Sequence, residues 1–212
     1  MLWTDFHNNE MKQPYFKDLQ SFINYEYDNY ICYPKKENIY KAFKTINDFN
    51  DIEVVIIGQD PYTTKGLAMS LSFSVPNDQK RPVSLRNILN EVKRENYNSS
   101  GNNDLTRWAN QNVLLLNMIL SVRENKPLSH KKAGWLTYTK HVLSEINNNT
   151  NPTVFIFWGN EAQKYIPLIN NPIHKILKAT HPAARNGKFK NCNNFKDCND
   201  FLAANKRKTI NW

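Results

Sequence analysis

At 212 residues, with 40% hydrophobic and 12% aromatic residues, the chain is suited to one domain over residues 1–212 with a substantial core. No apolar run approaches the roughly 18 residues needed to span a bilayer, and the N-terminal segment lacks the basic flank and apolar centre of a signal peptide. We therefore expect an intracellular protein without a membrane segment, cytoplasmic or, in a eukaryote, nuclear. Three cysteines (Cys32, Cys192 and Cys198) cannot all pair and have no zinc-site spacing around them, which predicts reduced thiols and no structural metal.

The formal net charge of +9 is concentrated near the end of the chain. Between Lys175 and Lys208 lie nine Lys or Arg residues and only two acidic residues, Asp197 and Asp200, so this segment carries +7. A concentrated positive field favours a polyanionic partner, most commonly a nucleic acid. The alternative is a lysine-rich surface that only keeps the protein soluble.

Hydrophobic periodicity predicts helices and strands that alternate along most of the chain. In chain order we predict helices over 13–30 and 37–46, a strand over 54–57, a helix from the N-cap Ser84, a polar loop over 98–104, a short helix over 105–109, a strand over 113–116, a basic loop over 121–133, a helix over 135–147, a strand over 153–158, a helix opening at Asn160, a strand over 175–179 and a helix over 195–204. This order predicts an α/β single domain, with a central four-stranded parallel twisted sheet flanked by helices on both faces.

The stretch from Ile56 to Val75 organises the rest of the prediction. Its first strand is β-branched without alternation, which is typical of a central parallel strand, and it ends at Gly58. Asp60 follows directly, where open α/β sheets place their ligands, and Pro61 restricts it to extended conformations. A second strand-like segment carrying Phe73 comes next. An ordinary Asp-Pro turn with nothing bound is the alternative.

Polar residues follow all four predicted strands: Asp60, Asn117, Asn160 and His181. The carboxyl ends of parallel strands share one edge, so these four should converge although they are far apart in sequence. Each has an ordinary structural explanation alone, as a turn residue or a buried, hydrogen-bonded histidine. Together they indicate a site.

These residues lie in segments that resemble the family-1 uracil-DNA glycosylases from KQPYF to the closing INW. The matching segments are GQDPY (58–62), LSFSV (71–75), SLRNI (84–88), VLLLN (113–117), SHKKAGW (129–135), FWGNEAQ (157–163) and LKATHP (177–182). GQDPY alone would be a weak signal, but the set in this order is specific. The resemblance implies a monomeric, cofactor-free and metal-free repair enzyme. It would hydrolyse the bond between uracil and deoxyribose in single- or double-stranded DNA after flipping the nucleotide, and a protein inhibitor could bind it.

The resemblance assigns the chemistry to two residues. Asp60 would position the attacking water and stabilise a cationic sugar, and His181 would donate a hydrogen bond to the uracil oxygen that becomes negative. O-glycosidases usually need a second carboxyl group to protonate the leaving alcohol. Because uracil leaves as a delocalised anion, one carboxylate and one donor suffice here.

The resemblance also assigns base recognition to four residues. The Asn117 amide carries a donor and an acceptor, so it complements uracil and mismatches cytosine. Phe73 would stack on the base, Tyr62 would occupy the space of thymine's methyl group, and Gln59 would contribute its backbone amide. The alternative role of Phe73 and Tyr62 is that of core aromatics, which the resemblance disfavours.

DNA contacts are implied for Pro82, Ser84, Gly159, Asn160, Ala183 and Arg185. The family usually continues His-Pro-Ser-Pro-Leu, with the serine on a phosphate and the leucine wedged into the vacated stack. Here Ala183 lacks the hydroxyl, Arg185 replaces the wedge with a planar cation, and the loop before Cys192 is shorter. Thr63, Ser70 and Asn160 stand where histidine, glycine and serine are common, and Ser84 has helix capping as its alternative role.

Two other functions compete with uracil excision. The fold could serve as a DNA-binding subunit of a replication complex with weak or secondary catalytic activity. It could also belong to a glycosylase with a wider base choice, which Tyr62 and Asn117 disfavour. The presence of Asp60, Phe73, Asn117 and His181 favours an active uracil-specific enzyme.

Overall fold

The computed structural model describes residues 1–97, 101–149, 151–185 and 188–212. Its elements are α1 (Trp3–Glu10), α2 (Pro14–Asn29), β1 (Cys32–Tyr33), 3-10 turns at Lys36–Asn38, Lys41–Phe43 and Phe49–Asp51, β2 (Val54–Gly58), α3 (Val83–Arg94), α4 (Thr106–Ala109), β3 (Val113–Asn117), β4 (Val122–Arg123), α5 (Trp135–Asn147), β5 (Val154–Trp158), α6 (Asn160–Gln163), a 3-10 turn at Ile166–Leu168, β6 (Lys175–Ala179) and α7 (Asn194–Ala204). Within these ranges, none of the helices has the length and apolar character to cross a membrane.

The core is a parallel sheet with strand order β3-β2-β5-β6, flanked by helices, which confirms the predicted α/β fold. Every residue of β2, β3 and β5 is buried. Since alternate residues of a strand face opposite sides, both faces of these three strands are covered. The edge strand β6 instead exposes Lys175 and Lys178, and charged side chains deter pairing with another chain.

The strand order creates a crevice at the carboxyl edge of the sheet. From β2 the chain crosses to β3 on one side and later to β5 on the other. Loops leaving the two sides of β2 therefore diverge, and open α/β sheets bind ligands at this point. The register pairs Gly58 with Asn117 and Trp158 with Ala179, so the segments that follow these strands begin at one level.

One hydrophobic cluster of buried residues extends from Phe6 to Trp212. The fully buried C-terminal Trp212 packs edge-on against Trp108, with ring centroids 5.1 Å apart, and lies 5.0 Å from Phe195. Its indole N–H donates to the Phe195 carbonyl at 3.2 Å. The last residue therefore connects α7 to α4, and the sequence pattern did not predict this role.

The helix predicted over 37–46 is wrong: the segment contains two 3-10 turns. The apolar residues Ile39, Phe43 and Ile46 are buried as predicted. The steps of three residues from Ile39 to Ala42 and from Phe43 to Ile46 suit a 3-10 turn as well as an α-helix, so the pattern identified the buried side but not the helix type.

The strand-like segment around Phe73 is also wrong, because Ser70 and Phe73 have φ angles of +67° and +64°. These left-handed conformations interrupt an extended chain. Ser84 is not the N-cap of α3, since the helix begins at Val83 after Pro82, whose extended backbone (ψ 156°) serves as the cap. Of the polar loop predicted over 98–104, residues 98–100 lie outside the described residues.

A buried carboxyl group directly after helix α3 makes stability depend on pH. The Glu95 side chain is 2% exposed, and its Oε2 accepts a hydrogen bond from the Lys196 backbone N–H at 2.6 Å. Burial raises the pKa of Glu95 to about 7 from an ordinary 4.5. The folded chain therefore holds a proton that the unfolded chain has already lost, and the free energy of unfolding decreases as the pH rises between these two values.

We expect Glu95→Gln to remove this loss, because a neutral amide keeps an acceptor for Lys196 without a buried charge. The gain in Tm over the wild type should be larger at pH 8 than at pH 5 in thermal melts. Glu161→Gln is the control, since Glu161 is an exposed residue of α6 that forms an ion pair with Lys164, the residue directly after that helix. An equal gain at both pH values would contradict the assignment of the pKa to Glu95.

Candidate active site

A cleft of about 670 Å³ opens at the carboxyl edge of the sheet. Nine of the predicted site residues line it: Gln59, Asp60, Tyr62, Phe73, Ser84, Asn117, Gly159, Asn160 and His181. Pro82, Ala183 and Arg185 are not part of this lining. The structure thus brings together the residues predicted to act on the base and leaves three of the predicted DNA contacts outside the cleft.

Two donors orient the Asp60 carboxylate directly beyond β2. The backbone N–H of Leu128 donates to Oδ2 at 2.8 Å, and the Gln59 side-chain amide donates to Oδ1 at 3.1 Å. Gln59 thus contacts Asp60 through its side chain, in addition to the backbone role predicted for it. The contact with Leu128 comes from the loop between β4 and α5, and no sequence signal indicated it.

A buried polar network holds that loop. Trp135 donates its indole N–H to Ser121 Oγ at 2.7 Å, so the Ser121 hydroxyl is free to donate to His130 Nδ1 at 2.8 Å. The Nε2–H of His130 then donates to Glu26 at 3.0 Å, and Glu26 also forms an ion pair with Arg123. Burial lowers the pKa of His130, which favours this neutral form. The network fixes the loop that presents Leu128 to Asp60.

Asn117 reaches the cleft from the end of β3 because its neighbour in the sheet is a glycine. A Cβ added to Gly58 would overlap Asn117 Oδ1 and lie 2.7 Å from Ser72 Cβ. Asn117 is 6% exposed, so its amide faces the cleft from a buried position. Only glycine at position 58 leaves room for this arrangement.

Phe73 and Tyr62 form an aromatic side of the cleft, and neighbouring side chains hold both rings in place. The Phe73 ring packs edge-on against Trp158, with centroids 5.5 Å apart, and lies 6.3 Å from the His181 ring. The Tyr62 hydroxyl donates to the Phe73 carbonyl at 3.4 Å and lies 3.1 Å from Ser84 Oγ. Ser84 therefore positions Tyr62 instead of capping α3.

His181 projects from the segment that follows β6, and its backbone surroundings select one tautomer. Nδ1 accepts a hydrogen bond from the Ala183 N–H at 3.1 Å, so the proton of the neutral ring lies on Nε2. The residue is exposed at the cleft mouth, yet desolvation of its ring lowers the pKa of His181. His181 is thus a neutral hydrogen-bond donor at pH 7.

Two residues keep the His181 backbone in place. A Cβ on Gly159 would lie 2.8 Å from His181 Cβ, so glycine allows β5 and the His181 segment to approach closely. Asn87, on α3, donates its amide to the Pro182 carbonyl at 2.7 Å. Asn87 and Trp158 were missed in the sequence because their roles depend on contacts across the fold. Gly159 was predicted to contact DNA, and the structure shows it packed against His181.

Two groups of His, Cys and acidic residues within the described ranges could approach a metal ion: Glu26, Cys32 and His130, and Glu91, Glu95 and Cys192. Neither group lines the cleft. Arg123 pairs with Glu26, and Arg94 pairs with Glu91. The carboxylates of Glu26 and Glu91 therefore already have cationic partners.

The basic C-terminal segment offers less unpaired positive charge to a polyanionic partner than its net charge suggests. Arg207 forms an ion pair with the buried Glu53 at 2.8 Å, and Lys196 pairs with Asp200 at 2.5 Å. Arg185 remains exposed beside the cleft. Part of the positive charge is therefore already paired with acidic side chains of the chain itself.

The architecture and the cleft define the class: an α/β protein with an open parallel sheet that carries its site at the carboxyl edge, where a carboxylate and a neutral imidazole line the same cavity. The family model described as "Uracil DNA glycosylase superfamily" matches residues 43–203. The chain belongs to this superfamily.

Curated relatives match over nearly their full length. The chain is 44% identical to the uracil-DNA glycosylase of Buchnera aphidicola subsp. Acyrthosiphon pisum, covering 99% of this chain and 97% of that protein. It is 43% identical to uracil-DNA glycosylase 1 of Listeria monocytogenes, covering 99% and 96%. Among solved structures, mimivirus UNG Y322L in complex with UGI superimposes with a TM-score of 0.89 at 25% identity, covering 99% of this chain and 87% of that one.

Proposed function

We propose that the cleft excises uracil from DNA by the single-carboxylate chemistry of the family-1 enzymes. The family and the curated relatives make the chain a uracil-DNA glycosylase, a DNA-repair hydrolase. The observation that carries the residue assignment is that Asp60 and His181, from distant parts of the sequence, line one cleft together with Phe73 and Asn117.

In this proposal the bond between uracil and C1′ breaks as negative charge moves onto the base and positive charge onto the sugar. The Nε2–H of neutral His181 donates to the uracil oxygen that gains charge, and its orientation is set in advance by the Ala183 N–H. The Asp60 carboxylate faces the cationic sugar and aligns the water whose oxygen bonds to C1′, and the proton that this water releases neutralises the uracil anion. Leu128 and Gln59 keep the carboxylate in this orientation.

Base selection follows from the groups around the flipped nucleotide. The Asn117 amide pairs with a uracil carbonyl and the ring N–H, while cytosine offers the reverse pattern and leaves buried groups unpaired, at about 1–3 kcal/mol each. Phe73 stacks on the ring, and Tyr62 fills the position of a 5-methyl group. The proposed DNA contacts are Pro82, Ser84, Gly159, Asn160, Ala183 and Arg185.

The direct test incubates the purified chain with single-stranded DNA that carries one deoxyuridine, with and without a chelator. We expect free uracil and an abasic strand in both arms, because each step uses groups of the chain itself. Binding of the strand without uracil release would identify a DNA-binding subunit. Release only in the absence of chelator would contradict the metal-free mechanism.

Tyr62→Ala should admit thymine, because it removes the ring that occupies the methyl position. The measurement is release of free thymine from thymine-containing single strands, with Tyr62→Phe as the control that keeps the ring and loses the bond to Phe73. We expect thymine release only from the alanine variant. No thymine release from either would mean that another group excludes the methyl.

Arg185→Ala should impair uracil excision from duplex DNA more than from single strands. Only in a duplex does the flipped nucleotide leave a gap in the base stack that a side chain must fill. The ratio of duplex to single-strand kcat/KM measures this. Lys175→Ala is the control, since this exposed lysine lies at the opposite end of β6 from the cleft. Equal losses on both substrates would remove the wedge role of Arg185.

The partners follow from the same site. We propose a monomer that acts on uracil-containing DNA inside the cell, in the cytoplasm or in a eukaryotic nucleus. The mimivirus relative was solved in complex with UGI. We propose that an inhibitor protein of that kind also binds this chain.

A further inference from the structure

Ser70 combines three features that its structural role does not explain. It has a φ of +67°, a conformation that favours glycine over residues with a Cβ. The residue is 7% exposed, and its hydroxyl is buried without a hydrogen-bond partner among the described residues. It also lines the cleft.

The neighbouring serines show that this is unusual for the segment. Ser72 donates its hydroxyl to the Ile56 carbonyl at 3.3 Å. The Ser74 hydroxyl accepts the Leu105 N–H at 2.9 Å. Both are fully buried, and neither lines the cleft. Of the three serines, the one that lines the cleft is the one whose hydroxyl has no partner in the part of the chain that the structure describes.

Glycine at position 70 would avoid two energetic costs that serine carries there. A Cβ in the left-handed region is strained, and a buried hydroxyl without a partner loses its bonds to water. Strained backbone and unpaired polar groups cluster where a ligand completes the arrangement. The unpaired hydroxyl of a residue that lines the cleft therefore points to a group on the substrate.

We propose that the Ser70 hydroxyl is a further substrate-binding group that hydrogen-bonds to an oxygen acceptor of the flipped deoxyuridine nucleotide. This inference rests on the proposed function and adds a contact to it. The acceptor is an oxygen either of the uracil ring or of the sugar-phosphate backbone. In both cases the bond supplies the partner that the Ser70 hydroxyl lacks among the described residues.

Two variants remove the hydroxyl, one together with the Cβ and one with the Cβ retained. Ser70→Gly relieves the backbone strain, so its Tm should equal or exceed that of the wild type, while Ser70→Ala keeps the Cβ and loses only the hydroxyl. Both should lower kcat/KM for single-stranded uracil-DNA by roughly 3- to 10-fold, the value of one neutral hydrogen bond. Ser72→Ala is the matched control and should retain the wild-type kcat/KM.

Inhibition by free uracil identifies the acceptor. A bond to the ring predicts that the inhibition constant of uracil rises together with the loss in kcat/KM. A bond to the backbone predicts an unchanged inhibition constant and a higher KM for DNA. If both Ser70 variants kept the wild-type kcat/KM and the wild-type inhibition constant of uracil, the role of Ser70 would be overturned and the proposed function would not be affected. Absence of uracil release from the wild type would overturn the proposed function, and this contact with it.

Discussion

Replacing Asp60 with asparagine should lower kcat for uracil release by about 10²- to 10⁴-fold, the range typical of losing a positioned acid–base group. Asparagine has the same shape and keeps an oxygen for the Leu128 N–H, so the backbone around position 60 should be preserved. What disappears is the negative charge that faces the cationic sugar and aligns the water. Affinity for uracil-containing single strands should therefore change little, since this charge acts mainly in the transition state.

The measurement is single-turnover uracil release together with a binding isotherm for the same strand. Glu124→Gln provides a matched control, because Glu124 is a carboxylate in the same region that bonds to Tyr33 at 2.6 Å and does not line the cleft. The control should retain the wild-type rate. Wild-type kcat in Asp60→Asn would show that the carboxylate takes no part in the reaction.

Replacing His181 with alanine should lower kcat by about 10²- to 10³-fold, the effect of removing one preorganised donor to a developing oxyanion. Single-turnover rates on single-stranded DNA measure the loss, and His181→Gln, which keeps an N–H donor, should recover part of it. If alanine and glutamine were equally impaired, donation by Nε2–H would not be the role of this side chain.

The same assignment fixes the sign of the pH dependence. Desolvation lowers the pKa of His181 below its ordinary 6.5, so the neutral donor persists as the pH falls through 6.5 and is lost only at lower pH. The wild-type kcat should therefore not decrease with a midpoint at pH 6.5 as the pH is lowered. An acid limb at or above that value would contradict a neutral His181.

The sequence was sufficient to predict the sheet and the edge where the site lies. Buried parallel strands appear in the sequence as continuous apolar runs, and the residues that follow these runs all lie at the carboxyl edge of the sheet. Asp60, Asn117 and His181 were therefore predicted from local pattern plus topology. The family resemblance added their roles.

The remaining features depend on contacts that no local pattern encodes. The Leu128 N–H reaches Asp60 across 68 positions of sequence, through a loop held by Glu26 and His130. The left-handed backbone at Ser70 is another such case, because local propensity predicts an extended chain there. The pairing of Arg207 with Glu53 likewise could not be read from net charge.

The most direct measurement is a crystal structure of the Asp60→Asn variant bound to a single strand with one deoxyuridine. We expect the intact nucleotide in the cleft, with uracil against Phe73 and Asn117 and its glycosidic bond between residue 60 and His181. A uracil bound outside this cleft, or a sugar–base bond out of reach of either residue, would contradict the assignment of the chemistry to this pair.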